Sequence, residues 1–181
     1  METKKHKWAF DIDGVIADTY PTLQATTERM YDVCWFVMPY WPNKHYSNIT
    51  KQSFYRLFSY LIKENKISII DDAKIIINKY QKLGNDLIFI TNRDVELIWH
   101  TYDFLDRYFK NYKLYIGHDL DKLQICINNN IDGIIEDKPE TCRIFKQYGL
   151  NHILHRQPHQ RWDYTEDLNI MNWYQIREKI L

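Results

Sequence analysis

With 181 residues, the chain is long enough for one domain with a substantial core and a small insert. Lys+Arg and Asp+Glu both number 24, which argues against a nucleic-acid binder that relies on basic excess, so no stable nucleic-acid partner is expected. No apolar run is long enough to span a membrane, Asp11 and Asp13 break the pattern of a secretory leader, and Cys34, Cys126 and Cys142 show no CxxC spacing, so a cytoplasmic protein with reduced thiols is expected.

In chain order, residues 7–12 read as a first strand: Trp8, Ala9 and Phe10 are apolar, and Asp11, Asp13 and Gly14 follow. Residues 19–70 depart from any strand–helix alternation. They carry many aromatics, among them Tyr20, Trp35, Phe36, Tyr40, Trp41, Tyr46, Phe54 and Tyr55, and are punctuated by Pro21, Pro39 and Pro42. Leu57, Tyr60, Leu61 and Glu64 have helical spacing, so this segment is expected to be a small, mainly helical insert over the end of the first strand.

Residues 71–83 read as a helix that opens with Asp71 and Asp72 and stops at Gly84. Residues 86–91 read as a strand, and 95–109 as a helix on the spacing of Val95, Ile98, Tyr102, Leu105 and Phe109. Strand 113–117, a weaker helix over 119–129, strand 133–137 and a helix over 139–148 behind Pro139 follow. Strand 152–156 comes next, and the tail from Glu166 places Ile170, Trp173, Ile176 and Ile180 on one helical stripe.

Strands alternating with helices imply an α/β fold: a three-layer, Rossmann-like parallel sheet, here with a small helical cap inserted after the first strand. The expected division is a core of residues 1–18 and 71–181 and a cap of residues 19–70. Ligands of such sheets bind beyond the carboxyl ends of the strands. Asp11 and Asp13, Thr91 and Asn92, Glu136 and Asp137, and His155 and Arg156 all fall at those ends.

Asp11 and Asp13 have the i, i+2 spacing that aims two side chains to the same side of a strand. Two carboxylates that close resist desolvation unless a cation shares them. An oxygen-only donor set with a substrate phosphate suits Mg2+, which Asp137, with Glu136 as a candidate second acid, would complete. An aspartate can also serve as a nucleophile towards phosphorus through an aspartyl-phosphate. A bare DxD, however, is also a common turn after a strand.

The segments "FDIDGVIADT", "IFITNR", Lys122 and "GIIEDKPE", in that order, resemble the four motifs of the haloacid dehalogenase (HAD) superfamily of phosphatases. Within it the chain is most similar to the 5'(3')-deoxyribonucleotidase family and its bacterial and phage relatives, on "DGVIAD", "IIEDKPE" and "HILHRQPHQR". The resemblance implies that Asp11 is the nucleophile and that Asp13 protonates the leaving oxygen, then activates water. It implies Mg2+ held by Asp11, the Asp13 carbonyl and Asp137, with Thr91 and the Asn92 amide on the phosphate. It implies that Lys122 is the fixed cation, in preference to Lys113 and Lys138. Glu136 is left between a metal ligand, a base behind the ligands and a solvated acid. Thr91 also fits a helix cap, and Arg93 is left between a phosphate contact and a surface ion pair.

The sequence departs from the family where an aromatic normally follows "AD". Thr19 stands there, with Tyr20 next, so Tyr20 and Tyr55 are the expected nucleobase contacts. His159 or Gln160 departs similarly in the late segment. The implied activity is a Mg2+-dependent phosphomonoesterase acting on a small-molecule phosphate, a nucleoside monophosphate first. Another small phosphate, a polynucleotide 3'-end and a non-catalytic binding module are the alternatives. A homodimer stays open.

Overall fold

Strand β1 (Trp8–Phe10) is entirely buried and has a parallel neighbour on each side, which fixes it as the middle of the sheet. The computed structural model describes residues 7–31, 51–156 and 167–181. Cys34, the aromatics and prolines of 32–50, and His159 and Gln160 of the late segment lie outside the described residues. The other strands are β2 (Leu87–Thr91), β3 (Tyr112–Ile116), β4 (Gly133–Glu136), β5 (Asn151–His155) and β6 (Ile170–Met171). They form one six-stranded, all-parallel sheet in the order β3-β2-β1-β4-β5-β6. The order reverses between β1 and β4, so the carboxyl ends of those two strands form the switch-point crevice.

Period-two alternation sends side chains to two cores. Trp8, Phe10, Phe89 and Ile135 face one cluster, which α3 (Asp71–Lys82), α4 (Ile98–Asp106) and α7 (Trp173–Ile180) close. Ala9, Ile88, Ile90 and Ile134 face the other, closed by α5 (Lys122–Asn128) and α6 (Pro139–Gln147). This is the expected three-layer arrangement. The free Cys126 and Cys142 are both buried within it. Among the described residues, no helix is long and apolar enough to cross a membrane.

Two helical expectations shift. Val95–Leu97 forms a single 3-10 turn capped by the Asp94 side chain, and α4 begins only at Ile98. Ile170 is not on the last helix: it and Met171 pair with β5, and α7 starts at Trp173 behind an Asn172–Gln175 capping box. A capped helix start ends the stripe physically, because the Asn172 side chain takes the amide that an earlier turn would have used.

After β1 the chain folds back in a tight loop. The amides of Val15, Ile16 and Ala17 all donate to the Ile12 carbonyl, and Gly14 takes the left-handed region at φ 79°. Residues 16–18 then bond to 68–70, through Asp18 N–H to the Ser68 carbonyl and Ile70 N–H to the Ile16 carbonyl, both within 2.9 Å. The segment between them therefore leaves and re-enters at one point. Its described helices are α1 (Thr19–Tyr31) and α2 (Lys51–Lys63). Pro21 is tolerated in α1 because the first turn has no amide partner to lose. The α2 helix buries Phe54, Leu57, Leu61 and Ile62, and it packs on α1 and α4.

Gly133 opens β4 where a side chain has no room. A Cβ there would lie 2.7 Å from Trp8 Cζ3 and 2.6 Å from Asn151 Cβ. Gly133→Ala is expected to destabilise the fold by about 1–3 kcal/mol through overpacking. At about 2–4 °C per kcal/mol for a chain of this size, a thermal melt reads the loss directly.

Candidate active site

Asp11 directly follows β1, and its N–H donates to the Ile135 carbonyl of β4 at 2.9 Å. That bond continues the β1–β4 ladder one residue beyond the strand and brings Asp11 beside Glu136 and Asp137. Ligand oxygens of these three buried carboxylates lie within 4.8 Å of one another. Lys122, the first residue of α5, reaches into the group. Its Nζ donates to Asp11 Oδ1 at 2.7 Å and to Glu136 Oε2 at 2.6 Å, and only 5% of the lysine is exposed. The helix that delivers it is fixed by Asp121, whose side chain accepts from the Gln124 N–H.

Three buried acids face two lysines, Lys122 in direct contact and Lys138 nearby, which leaves positive charge one short. Glu136 is the best served. Burial opposes its charge, but the Lys122 and Lys138 charges hold it below the usual carboxylate range, and its Oε1 accepts from the backbone amides of Asp137 and Lys138. Asp11 is the worse served partner of the same lysine. Burial and the Glu136 charge push it up from 3.8 to about 7, with Lys122 only partly offsetting them. Burial, Glu136 and Asp11 raise Asp137 well above its ordinary value. Lys122 itself is raised, since its two acid partners outweigh burial. Lys122 bonds Asp11 and Glu136 alike, and burial with mutual repulsion makes Asp11 and Asp137 costly to ionise.

Asp13 is held separately. Arg93, just beyond β2, donates from Nε to Asp13 Oδ2 and from Nη2 to Asp13 Oδ1, each at 2.8 Å. Thr19 Oγ1 donates to the same Oδ1 at 2.7 Å. Burial opposes the Asp13 charge, but this forked contact and the Thr19 bond hold the carboxyl below its ordinary value. Arg93 is therefore no surface ion pair. It is buried, its Nη1 donates to Thr101 Oγ1, and its guanidinium lies 5.7 Å from the Phe104 ring centroid. Thr91 is buried at the end of β2, where its Oγ1 accepts from the Arg93 N–H at 3.3 Å and leaves its own proton available.

Tyr20 borders the cavity. Its hydroxyl donates to Asp137 Oδ2 at 2.7 Å, and burial together with the Asp137 charge pushes its own pKa well up. Tyr55 lies on the far wall with Phe54 and Phe58, partly exposed to the cavity. Among the described residues, Asp11, Asp13, Thr19, Tyr20, Thr91, Asn92, Arg93 and Asp137 border one cavity of about 490 Å³ together with those aromatics. Lys138 and Glu140 also line it, so Lys138 is near the acids although Lys122 makes the direct contact with Asp11.

Two sets of residues escaped the sequence reading. His118 and Asp119, in the loop after β3, border the cavity mouth, and no spacing rule flags a polar pair in a loop. His155 Nδ1 bonds the Gly14 carbonyl at 2.9 Å, and Trp173 Nε1 donates to the Val15 carbonyl at 3.0 Å. These tie the loop after β1 to β5 and α7. Only the position of His155 at a strand end hinted at this.

The donor set fits a hard divalent cation. Three buried carboxylates converge, and Asp137 Oδ1 and Asn92 Oδ1 are buried with no hydrogen-bond partner among the described residues. Gly14 is required beside them, because a Cβ there would lie 2.5 Å from Asp137 Oδ2.

No protein-family model matches the sequence, and no curated protein does. Solved structures share the fold. A protein from Lactobacillus delbrueckii subsp. bulgaricus provisionally assigned as a phosphoglycolate phosphatase aligns over 99% of each chain at 11% identity and TM-score 0.71. A HAD family hydrolase from Deinococcus radiodurans R1 with bound phosphate and sodium aligns over 97% of this chain and 95% of its own, at 12% identity and TM-score 0.67. CbbY from Rhodobacter sphaeroides in complex with xylulose-1,5-bisphosphate aligns over 92% and 93%, at 13% identity and TM-score 0.61. The chain has the HAD-hydrolase fold.

The buried acids give the metal-free protein a pH signature. A folded-state pKa above the unfolded one means that the folded state binds the extra proton, so stability falls as pH rises between the two values. For Asp11 that window runs from 3.8 to about 7. In EDTA, the melting temperature is expected to fall as pH rises through this window, less steeply in Asp11→Asn. Calorimetric scans of both proteins at matched ionic strength check it.

Proposed function

We propose that the chain is a Mg2+-dependent phosphomonoesterase that works through an aspartyl-phosphate, with a nucleoside monophosphate as substrate. The observation that carries this reading is Asp11: a buried carboxylate at the switch point, held at Oδ1 by Lys122 and grouped with Asp137. The HAD-hydrolase neighbours, one with phosphate and one with a sugar bisphosphate, support a small phosphate as ligand.

Asp11, Asp137 and the main-chain carbonyl of Asp13 would hold the cation. When bound, it neutralises the repulsion between the Asp11 carboxylate and the phosphate dianion. Lys122 fixes one Asp11 oxygen, which leaves Oδ2 as the attacking atom. Attack forms the Asp11–phosphorus bond and breaks the bond to the leaving oxygen, which takes a proton from Asp13. Water then attacks phosphorus, Asp13 takes its proton, and the Asp11–phosphorus bond breaks to release phosphate. Arg93 and Thr19 aim Asp13 for both transfers. Because they favour its ionised form, they suit the second step, and acid pH favours the first. Thr91 and Asn92 donate to the phosphoryl oxygens. Glu136 acts through Lys122, since both its oxygens already accept hydrogen bonds.

Residues 19–70 serve as a cap over a core of 1–18 and 71–181. The apolar wall of Leu23, Phe54, Tyr55 and Phe58 supports a flat, uncharged group beyond the phosphate, as a nucleobase is. Sugar phosphates are the natural competitors in a substrate panel.

Asp11→Asn is expected to lower phosphatase turnover by roughly 10⁴-fold or more while leaving the melting temperature unchanged or raised. Release of inorganic phosphate from nucleoside monophosphates, sugar phosphates and p-nitrophenyl phosphate, with Mg2+ and with EDTA, measures it. No release by the folded wild-type protein on any of them would overturn the enzyme reading. Lys122→Ala is expected to cost far more turnover than Lys138→Ala in the same assay, because Lys122 Nζ bonds Asp11 Oδ1 at 2.7 Å.

A further inference from the structure

The first turn of α1 does something the motifs alone do not imply. Its two leading residues reach different carboxylates, one after β1 and one after β4. Thr19 Oγ1 donates to Asp13 Oδ1, and the Tyr20 hydroxyl donates to Asp137 Oδ2, both at 2.7 Å. Successive helical residues point about 100° apart, which is what lets neighbours in sequence grip two separate acids.

Gly14 lies between the tyrosine and the acid it holds. A Cβ at that position would stand 2.6 Å from Tyr20 Cε2 and 2.5 Å from Asp137 Oδ2, so ring and carboxylate are both pressed against the loop. The other Asp137 oxygen, Oδ1, is buried without a partner among the described residues. Two oxygens of one carboxylate thus have separate fates: one is pinned by a phenol, and one has no hydrogen-bond partner among the described residues.

We infer that Tyr20 is a positioning residue for the divalent cation, holding Asp137 so that Oδ1 alone is presented as a ligand. The inference rests on the reading above that Asp137 is a cation ligand. It reassigns Tyr20 from stacking on a base to the metal site. It also ties that site to the inserted segment, because the residue that orients the ligand is the second residue of α1. A carboxylate fixed by an outer hydrogen bond binds its ion in a ready geometry, and loss of such a partner typically costs 10–100-fold in metal affinity.

Tyr20→Phe keeps the ring and removes only the hydroxyl. Isothermal titration of EDTA-stripped protein with MgCl2, without substrate, should give a dissociation constant about tenfold or more weaker than wild type. Turnover at saturating Mg2+ should recover towards wild type, which a merely structural loss would not do. Thr19→Val, which removes the bonds to Asp13 and to the Ala17 carbonyl but leaves Asp137 held, should weaken Mg2+ less. Should Tyr20→Phe fail to fold, Tyr20→Gln, which keeps a donor, and Tyr20→Leu, which does not, make the same comparison. Equal or tighter Mg2+ binding by Tyr20→Phe overturns the inference while the proposed function stands. Absence of Mg2+ binding by the wild-type protein overturns both.

Discussion

Three carboxylates outnumber the two lysines around them where the strand order reverses, and most of the site's architecture answers the resulting imbalance. Lys122 is bonded to Asp11 and Glu136 together, but Glu136 also takes two backbone amides. Glu136 is held below its ordinary range, while burial and mutual repulsion push Asp11 and Asp137 above theirs. A buried acid in that condition either holds a proton or shares a cation. The same deficit that weakens the fold is what makes the crevice attractive to a hard ion.

The loop after β1 has to hold its carboxylates still against that repulsion. It is tied from several sides: three amides converge on the Ile12 carbonyl, His155 bonds Gly14, and Trp173 bonds Val15. Arg93 clamps Asp13 with two charge-assisted bonds, a fixed geometry that a lysine at that position would not give. Each tie comes from a different element. Precision at the site is a property of how β2, β5, α1 and α7 pack around one loop.

The pairing of 16–18 with 68–70 gives the inserted segment its place. Because the segment leaves and returns at the edge of the crevice, α1 starts beside the acids and α2 adds Phe54, Tyr55 and Phe58 to the cavity lining. The cavity is thereby lined by buried acids and by aromatic rings together.

Strand and helix order, the parallel sheet and the acids at strand ends were legible in the sequence, because apolar periodicity and turn residues act locally. Lys122 could be preferred over its rivals on spacing, but only packing put its Nζ on Asp11. The residues around Ile170 misled, since a strand, a cap and a helix can share one apolar stripe. Arg93 and Tyr20 had identities but no partners in the sequence: their contacts, with Asp13 and Asp137, span 80 and 117 positions. The sequence by itself determined which groups could do chemistry and the layer architecture that gathers them. Tertiary structure alone decided which acid each donor serves, because charge in a buried crevice is apportioned by distances of under 3 Å between residues remote in the chain.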